Sequence, residues 1–216
     1  MAAGDISKAL LAEVRTFIDE NTAAFYEDSE IYSALTNAQT EYATLILAQY
    51  KERVKINNNE ELPEVLRGLI STKAGTIAAP LFSFTLPTDF FYDISVTYNH
   101  QSTGSLKPCR RRAYDRNLPF KQANSYLLAD TTKEYFYLLG TSALAFETAV
   151  SSGTGGYSMN YLIKPTDIDA STDPVLPAFT FPAFLQYAFG DIINKDGRTQ
   201  ESLAYYQKFL SMVKYK

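Results

Sequence analysis

Apolar residues in this chain recur first at helical spacing, then at alternate positions, then at helical spacing again. A helix buries a face of period 3.6 and a strand a face of period two, so this change of rhythm predicts helices, then strands, then helices. Ile6, Leu10, Val14, Phe17 and Ile18 form one stripe and predict a helix over 7–18, with Ser7 placed to cap it. A longer helix is predicted from Asp28 or Ser29 to about Val54, with Ile31, Leu35, Ala38, Tyr42, Leu45 and Ile46 on its apolar face. Glu30 sits in its first turn, where the helix dipole favours an acid, and Asn57-Asn58-Asn59 ends it. Residues 63–70 read as a short third helix with Pro63 in its first turn.

The middle of the chain alternates. Residues 81–86, 95–98, 106–112, 135–139, 144–150 and 157–164 read as strands, with hairpin turns at 101–104 and at Gly140-Thr141-Ser142. Residues 87–91 read as one tight turn and 151–156 as a Ser/Gly loop. Pro165, Pro174, Pro177 and Pro182 mark an extended connection. Helix returns over 183–194, stops at Asp196-Gly197, and resumes from Thr199 with Leu203, Tyr206, Phe209, Leu210 and Val213 as its stripe. The expectation is an α+β fold: a helical bundle of N- and C-terminal helices with a β-rich inserted domain. Its parts are an N-terminal helical part over 1–76, a β-rich insertion over 77–165, and a connection with C-terminal helices over 166–216 that pack back on the first two.

Hydrophobic residues make up 46% of the 216, enough for a sizeable core. The net charge of −4 argues against duplex DNA as the main ligand, because that ligand calls for a basic footprint. The charge is uneven: residues 1–66 hold 12 acids and 5 bases, a net −7, which leaves +3 for the rest. The 16 Tyr and 14 Phe, with no Trp, suit either a Tyr-rich core and sheet or surfaces buried on assembly. One cysteine, Cys109, excludes an intramolecular disulfide. No secretory signal or membrane-spanning run is apparent, so no membrane partner is expected.

Catalytic devices find little material. His100 is the lone histidine, and a Ser-His-Asp or Cys-His arrangement needs a histidine oriented by a partner. One Cys and one His do not make a structural zinc site. Gly153-Thr154-Gly155-Gly156 lacks the Lys-Ser/Thr of a phosphate loop, and the stretch around Ser158 lacks the second glycine of a nucleophile elbow. Asp167, Asp169 and Asp173 can offer oxygens to Ca²⁺ but lack the EF-hand spacing, and a solvated loop is the plainer reading. No catalytic residue, cofactor or metal is therefore expected, and the chain is not read as an enzyme. The sharpest charge feature is Lys107, Arg110, Arg111, Arg112, Arg116 and Lys121. It suits docking on an acidic protein surface, contact with DNA phosphates, or a solvated strand face. Strand alternation turns at least one of the three consecutive arginines away from the others. Tyr205, Tyr206 and Phe209 on adjoining faces of the last helix are the second interface candidates.

Several segments resemble head-to-tail adaptor proteins of tailed bacteriophages, most of all the first neck ring of crAss-like podoviruses. Phe25-Tyr26-Glu27-Asp28-Ser29-Glu30 running into Thr36-Asn37-Ala38-Gln39 is similar to the family's acidic entry and following helix. Leu86-Pro87-Thr88-Asp89-Phe90 resembles its step between strands. Tyr157–Pro165 resembles its late strand, and the helices around Asp196-Gly197-Arg198 its closing pair. The middle β-rich stretch is larger than in compact members. The resemblance implies a structural virion protein assembled in the host cytoplasm into a cyclic ring of roughly twelve copies. Its partners would be itself, the portal, and downstream neck or tail proteins, with double-stranded DNA passing through without sequence-specific binding. A ligand-binding module for a glycan or peptide is the alternative, served by exposed tyrosines on the strands.

Overall fold

A computed structural model describes residues 3–18, 25–56, 61–100, 105–111, 135–147, 150 and 153–213. Two compact units are formed, Met1–Leu69 with Lys164–Lys216, and Ile70–Ile163.

The first unit is helical: α1 (Asp5–Phe17), α2 (Asp28–Ile56), the single turn α3 (Glu64–Arg67), α4 (Phe181–Lys195) and α5 (Thr199–Met212). Helix α4 is the hub. Its apolar residues spread round most of its circumference, so it packs on α2, α5 and α1 together. Phe184 meets Tyr42 of α2 edge-on, and Phe17 of α1 stacks on Phe189 with ring centroids 3.8 Å apart. At Gly190 the neighbouring helix comes so close that an added Cβ would lie 3.2 Å from the Ser202 carbonyl oxygen. The turn between α4 and α5 uses Gly197 at φ 78°, a left-handed conformation that glycine adopts without a Cβ clash.

The N-terminus of α1 is capped from a distance. Asp173 accepts hydrogen bonds from the backbone N–H groups of Ile6 and Ser7, both at 2.9 Å, and from that of Gly4 at 3.2 Å. These are donors that a helix start leaves unpaired, and the carboxylate also meets the positive end of the dipole. Ser7, expected as the cap, instead lies inside the helix and donates its hydroxyl to the Gly4 carbonyl. Replacing Asp173 with alanine should lower stability by about 1–2 kcal/mol. A urea midpoint unchanged by Asp173→Ala would show that the cap contributes nothing.

The extended connection is fastened along α2. Gln39 is fully buried. Its amide nitrogen donates to the Thr166 carbonyl at 3.0 Å, and its oxygen accepts from the N–H groups of Val175 at 2.8 Å and Leu176 at 3.3 Å. One turn earlier, the Thr36 hydroxyl accepts from the Ile168 N–H at 2.8 Å. A segment too rich in Pro and Asp for regular structure thereby obtains partners for its backbone.

The second unit is one seven-stranded, nearly closed, barrel-like sheet in the order β1-β7-β3-β4-β5-β6-β2. The strands are β1 (Ile70–Ala78), β2 (Ser83–Thr85), β3 (Phe90–Asn99), β4 (Lys107–Arg111), β5 (Tyr135–Leu139), β6 (Ala143–Phe146) and β7 (Thr154–Ile163). All pairings are antiparallel except β4 with β5. The edge strands β1 and β2 come within side-chain reach: Lys73 Nζ donates to the Thr85 carbonyl at 2.7 Å. The interior is filled with aromatic rings. Tyr98 stacks on Phe146 at 3.8 Å, and Phe84 on Tyr157 at 3.9 Å.

This architecture corrects the expected α+β helical bundle with a β-rich inserted domain. The chain is mixed α/β, 46% helical and 27% strand, and its helices do not form a bundle. The physical reason is twofold. The helices gather round α4 instead of each turning one stripe to a shared axis. The strands close on one another as a single sheet, completed by β1 and by the parallel β4–β5 pair. Residues 63–70, read as a helix, give only the turn α3 before Ile70 opens β1.

Candidate functional site

The basic strand β4 sits between β3 and β5. Alternation places Lys107, Cys109 and Arg111 on one face and Pro108 and Arg110 on the other. The first face points toward the sheet interior, since Cys109 is paired with the core residue Val96 and Arg111 with Tyr137. Arg110 and Arg111 therefore diverge and do not share a flat patch. Arg112, Arg116 and Lys121 lie outside the described residues.

Arg111 is engaged by a buried carboxylate. Its Nη1 lies 3.0 Å from Asp93 Oδ1, and the Tyr137 hydroxyl donates to Asp93 Oδ2 at 2.5 Å. Asp93 reaches the interior through a break in strand rhythm. The β3–β7 register shifts between Asp93 and Ser95, so Asp93 is buried although Val96 and Tyr98 are buried too. A buried carboxylate requires such partners. Burial first, then the Asp93 charge, pushes the Tyr137 phenol far above its ordinary range, so it remains a donor. This cluster holds the sheet together from within.

Cys109, His100 and the loop aspartates are the remaining chemical candidates. Burial pushes the Cys109 thiol up to about 12, which leaves almost no thiolate. His100 is buried, and desolvation followed by the nearby Lys107 charge lowers its pKa, so the ring is neutral. Asp169 accepts from the N–H and hydroxyl of Ser171, both at 2.7 Å, and Asp173 is spent on the α1 cap. Among the described residues, no group of three or more His, Cys, Asp and Glu is placed to hold a metal. No described helix is long and apolar enough to cross a membrane.

Helix α5 presents a surface of another kind. Of its three sequence candidates, Phe209 is fully buried, edge-on to Tyr42 and Tyr187, and so anchors the helix and lines no outer face. Tyr205 is half-buried, edge-on to Phe17 and Phe189, with Lys208 Nζ 4.8 Å from its ring centroid. Tyr206 packs edge-on against Tyr187 of α4 and bonds Glu41 of α2, yet stays 37% exposed, beside Leu203 at 48% and Leu210 at 42%. At about 100° per residue, the apolar arc from Met212 through Phe209 to Leu203 covers about half the helix. The arc that contains Phe209 is covered, Tyr206 is covered in part by Tyr187 of α4, and Leu203 and Leu210 stay exposed. Sequence reading assigned Leu203 and Leu210 to the inward stripe. The width of the arc was the signal that one neighbouring helix cannot cover all of it.

A second apolar surface lies between α1 and α4. It is a groove of about 530 Å³ lined by the buried Leu10, Leu185 and Phe189 and the more exposed Ile6 and Phe181. Asp5 and Glu13 of α1 also line it, and no basic residue does. No protein-family model and no curated protein matches this chain.

Proposed function

We propose that the chain is a structural virion protein whose copies form a neck ring between the portal vertex and the tail of a bacteriophage. In this reading the ring extends the DNA channel, grips the portal on one side and neck or tail proteins on the other, and works by packing and shape. The observation that carries it is the run of exposed apolar side chains on α5, Leu203 and Leu210 at positions i and i+7 with the partly covered Tyr206 between them at i+3. A helix face of that kind is a docking face for another protein surface. The segment resemblances from Phe25 to Arg198 supply the identity of the assembly. A net-negative ring also suits a channel through which DNA must slide, since phosphate contacts drive non-specific adhesion.

The glycan- or peptide-binding alternative rests on tyrosines exposed along the strands. Tyr98, Tyr137, Tyr157 and Tyr161 are instead buried in the sheet interior, which removes most of its support. The test of the ring reading is quantitative mass spectrometry of purified particles. A ratio to portal near one to one is expected. A far larger count would make this a shell or decoration protein, and absence from particles would overturn the virion reading.

A further inference from the structure

We propose that Lys73 locks the open seam of the sheet and keeps its free strand edges from pairing with those of a second copy of the chain. The inference concerns the β unit alone and does not rest on the ring reading.

The seam lies between β1 and β2, the two ends of the strand order. Among the described residues, neither has a strand partner on that side. Strand β1 therefore leaves a free edge nine residues long, with Thr and Ile among its residues. Such an edge is a template for another strand, and sheet proteins block it with lysine or with a charge that points inward. Lys73 meets both descriptions. It is the only charged residue in β1 and β2. Alternation puts it on the same face of β1 as the buried Ile77, and its partner across the β1–β7 pairing is the fully buried Met159.

On that face an apolar side chain would turn into the core. The lysine instead leans across the gap. Its Nζ lies 2.7 Å from the Thr85 carbonyl oxygen and 5.8 Å from the centroid of the Phe84 ring. Beside it two rings fill the interior under the seam. Phe84 of β2 stacks on Tyr157, and the Tyr157 hydroxyl reaches Gly75 of β1, where an added Cβ would lie 2.9 Å from it. Ala74, Gly75 and Thr76 are exposed, so this stretch of the edge is open to solvent. The one lysine thus ties the two edges together and marks them with charge.

A strand laid in the seam would displace Lys73 from Thr85 and take its ammonium out of water, and both changes oppose pairing. A second copy carries the same edge and its own Lys73. Pairing β1 with β1 would set two like charges on one small sheet.

The test is Lys73→Met in the full chain, which keeps the length of the stem and removes the donor and the charge. In dilute solution, amides of the β2–β6 pairing should exchange about five-fold faster than in the parent, the loss of one hydrogen bond, while those of β3–β7 stay unchanged. At rising concentration, sedimentation velocity should show the variant associating at least about ten-fold more readily than the parent, with new protection at β1 amides. Lys73→Gln, uncharged and too short to reach Thr85, should behave likewise if the methionine variant folds poorly. Lys73→Arg should restore parental behaviour on both counts. Exchange and association equal to the parent's in the folded Met or Gln variant would overturn the lock. So would faster exchange with no added association, or added association that leaves β1 unprotected.

Discussion

Replacing Gln39 with leucine should lower the unfolding free energy by about 3 kcal/mol, because it leaves one buried and two part-buried backbone groups without partners, at about 1–3 kcal/mol for a fully buried one and less for the others. Those groups are the Thr166 carbonyl and the N–H groups of Val175 and Leu176. Leucine nearly matches the volume of glutamine, so packing on α2 changes little and the loss reads out the hydrogen bonds. Thr36→Val should cost less, about 1 kcal/mol, since only the Ile168 N–H loses an acceptor. Urea unfolding followed by circular dichroism measures both. A Gln39→Leu midpoint close to the parent's would mean that the connection is held by other contacts.

Tyr137→Phe should destabilise by about 3 kcal/mol at neutral pH, because the interior carboxylate Asp93 is left with Arg111 alone. The same variant should change the response to alkali. In an unfolded chain a phenol titrates near pH 10, whereas the folded Tyr137 keeps its proton well above that. The folded state then holds more protons than the unfolded one above about pH 10. The contribution of Tyr137 is complete below that pH and falls by about 1.4 kcal/mol per pH unit as pH rises beyond it. Tyr42 and Tyr157 are also raised by burial, so the parent should lose stability steeply in alkali. Tyr137→Phe should flatten that slope by one proton. Equal slopes for parent and variant between pH 9.5 and 11.5, in an urea series at roughly half-unit steps, would refute the assignment.

Helices were the most legible part of this sequence, because period and stop signals agree along α2, α4 and α5. The β5–β6 hairpin was legible too: Gly140-Thr141-Ser142 separates two apolar runs that pair Leu139 with Leu144. Strand β1 was not. Its sequence, Ile-Ser-Thr-Lys-Ala-Gly-Thr-Ile-Ala, carries few large apolar residues, and its pairing with β7 supplies what its own side chains do not. The basic residues of β4 were visible as charge, but Asp93 was hidden, because a register shift and not local composition brings it inside. Asp173 was visible as an acid in a loop, and its partner helix lies more than 160 residues away. The outer face of α5 was half visible. Its apolar residues could be counted, but the side left uncovered depends on where α4 lies.

The pairing of Ile70 with Leu162 has a consequence for the order in which the protein can be made. The first strand of the sheet waits for the last, and α1 and α2 wait for α4, which the ribosome delivers after all seven strands. The helical half cannot finish before the whole sheet has been synthesised. Throughout that interval Val14, Leu35, Ile46 and their neighbours present greasy faces to the cell. A shortened chain ending before Lys164 would retain that stickiness permanently, so incomplete products of this sequence are destined for chaperones, proteases or aggregates.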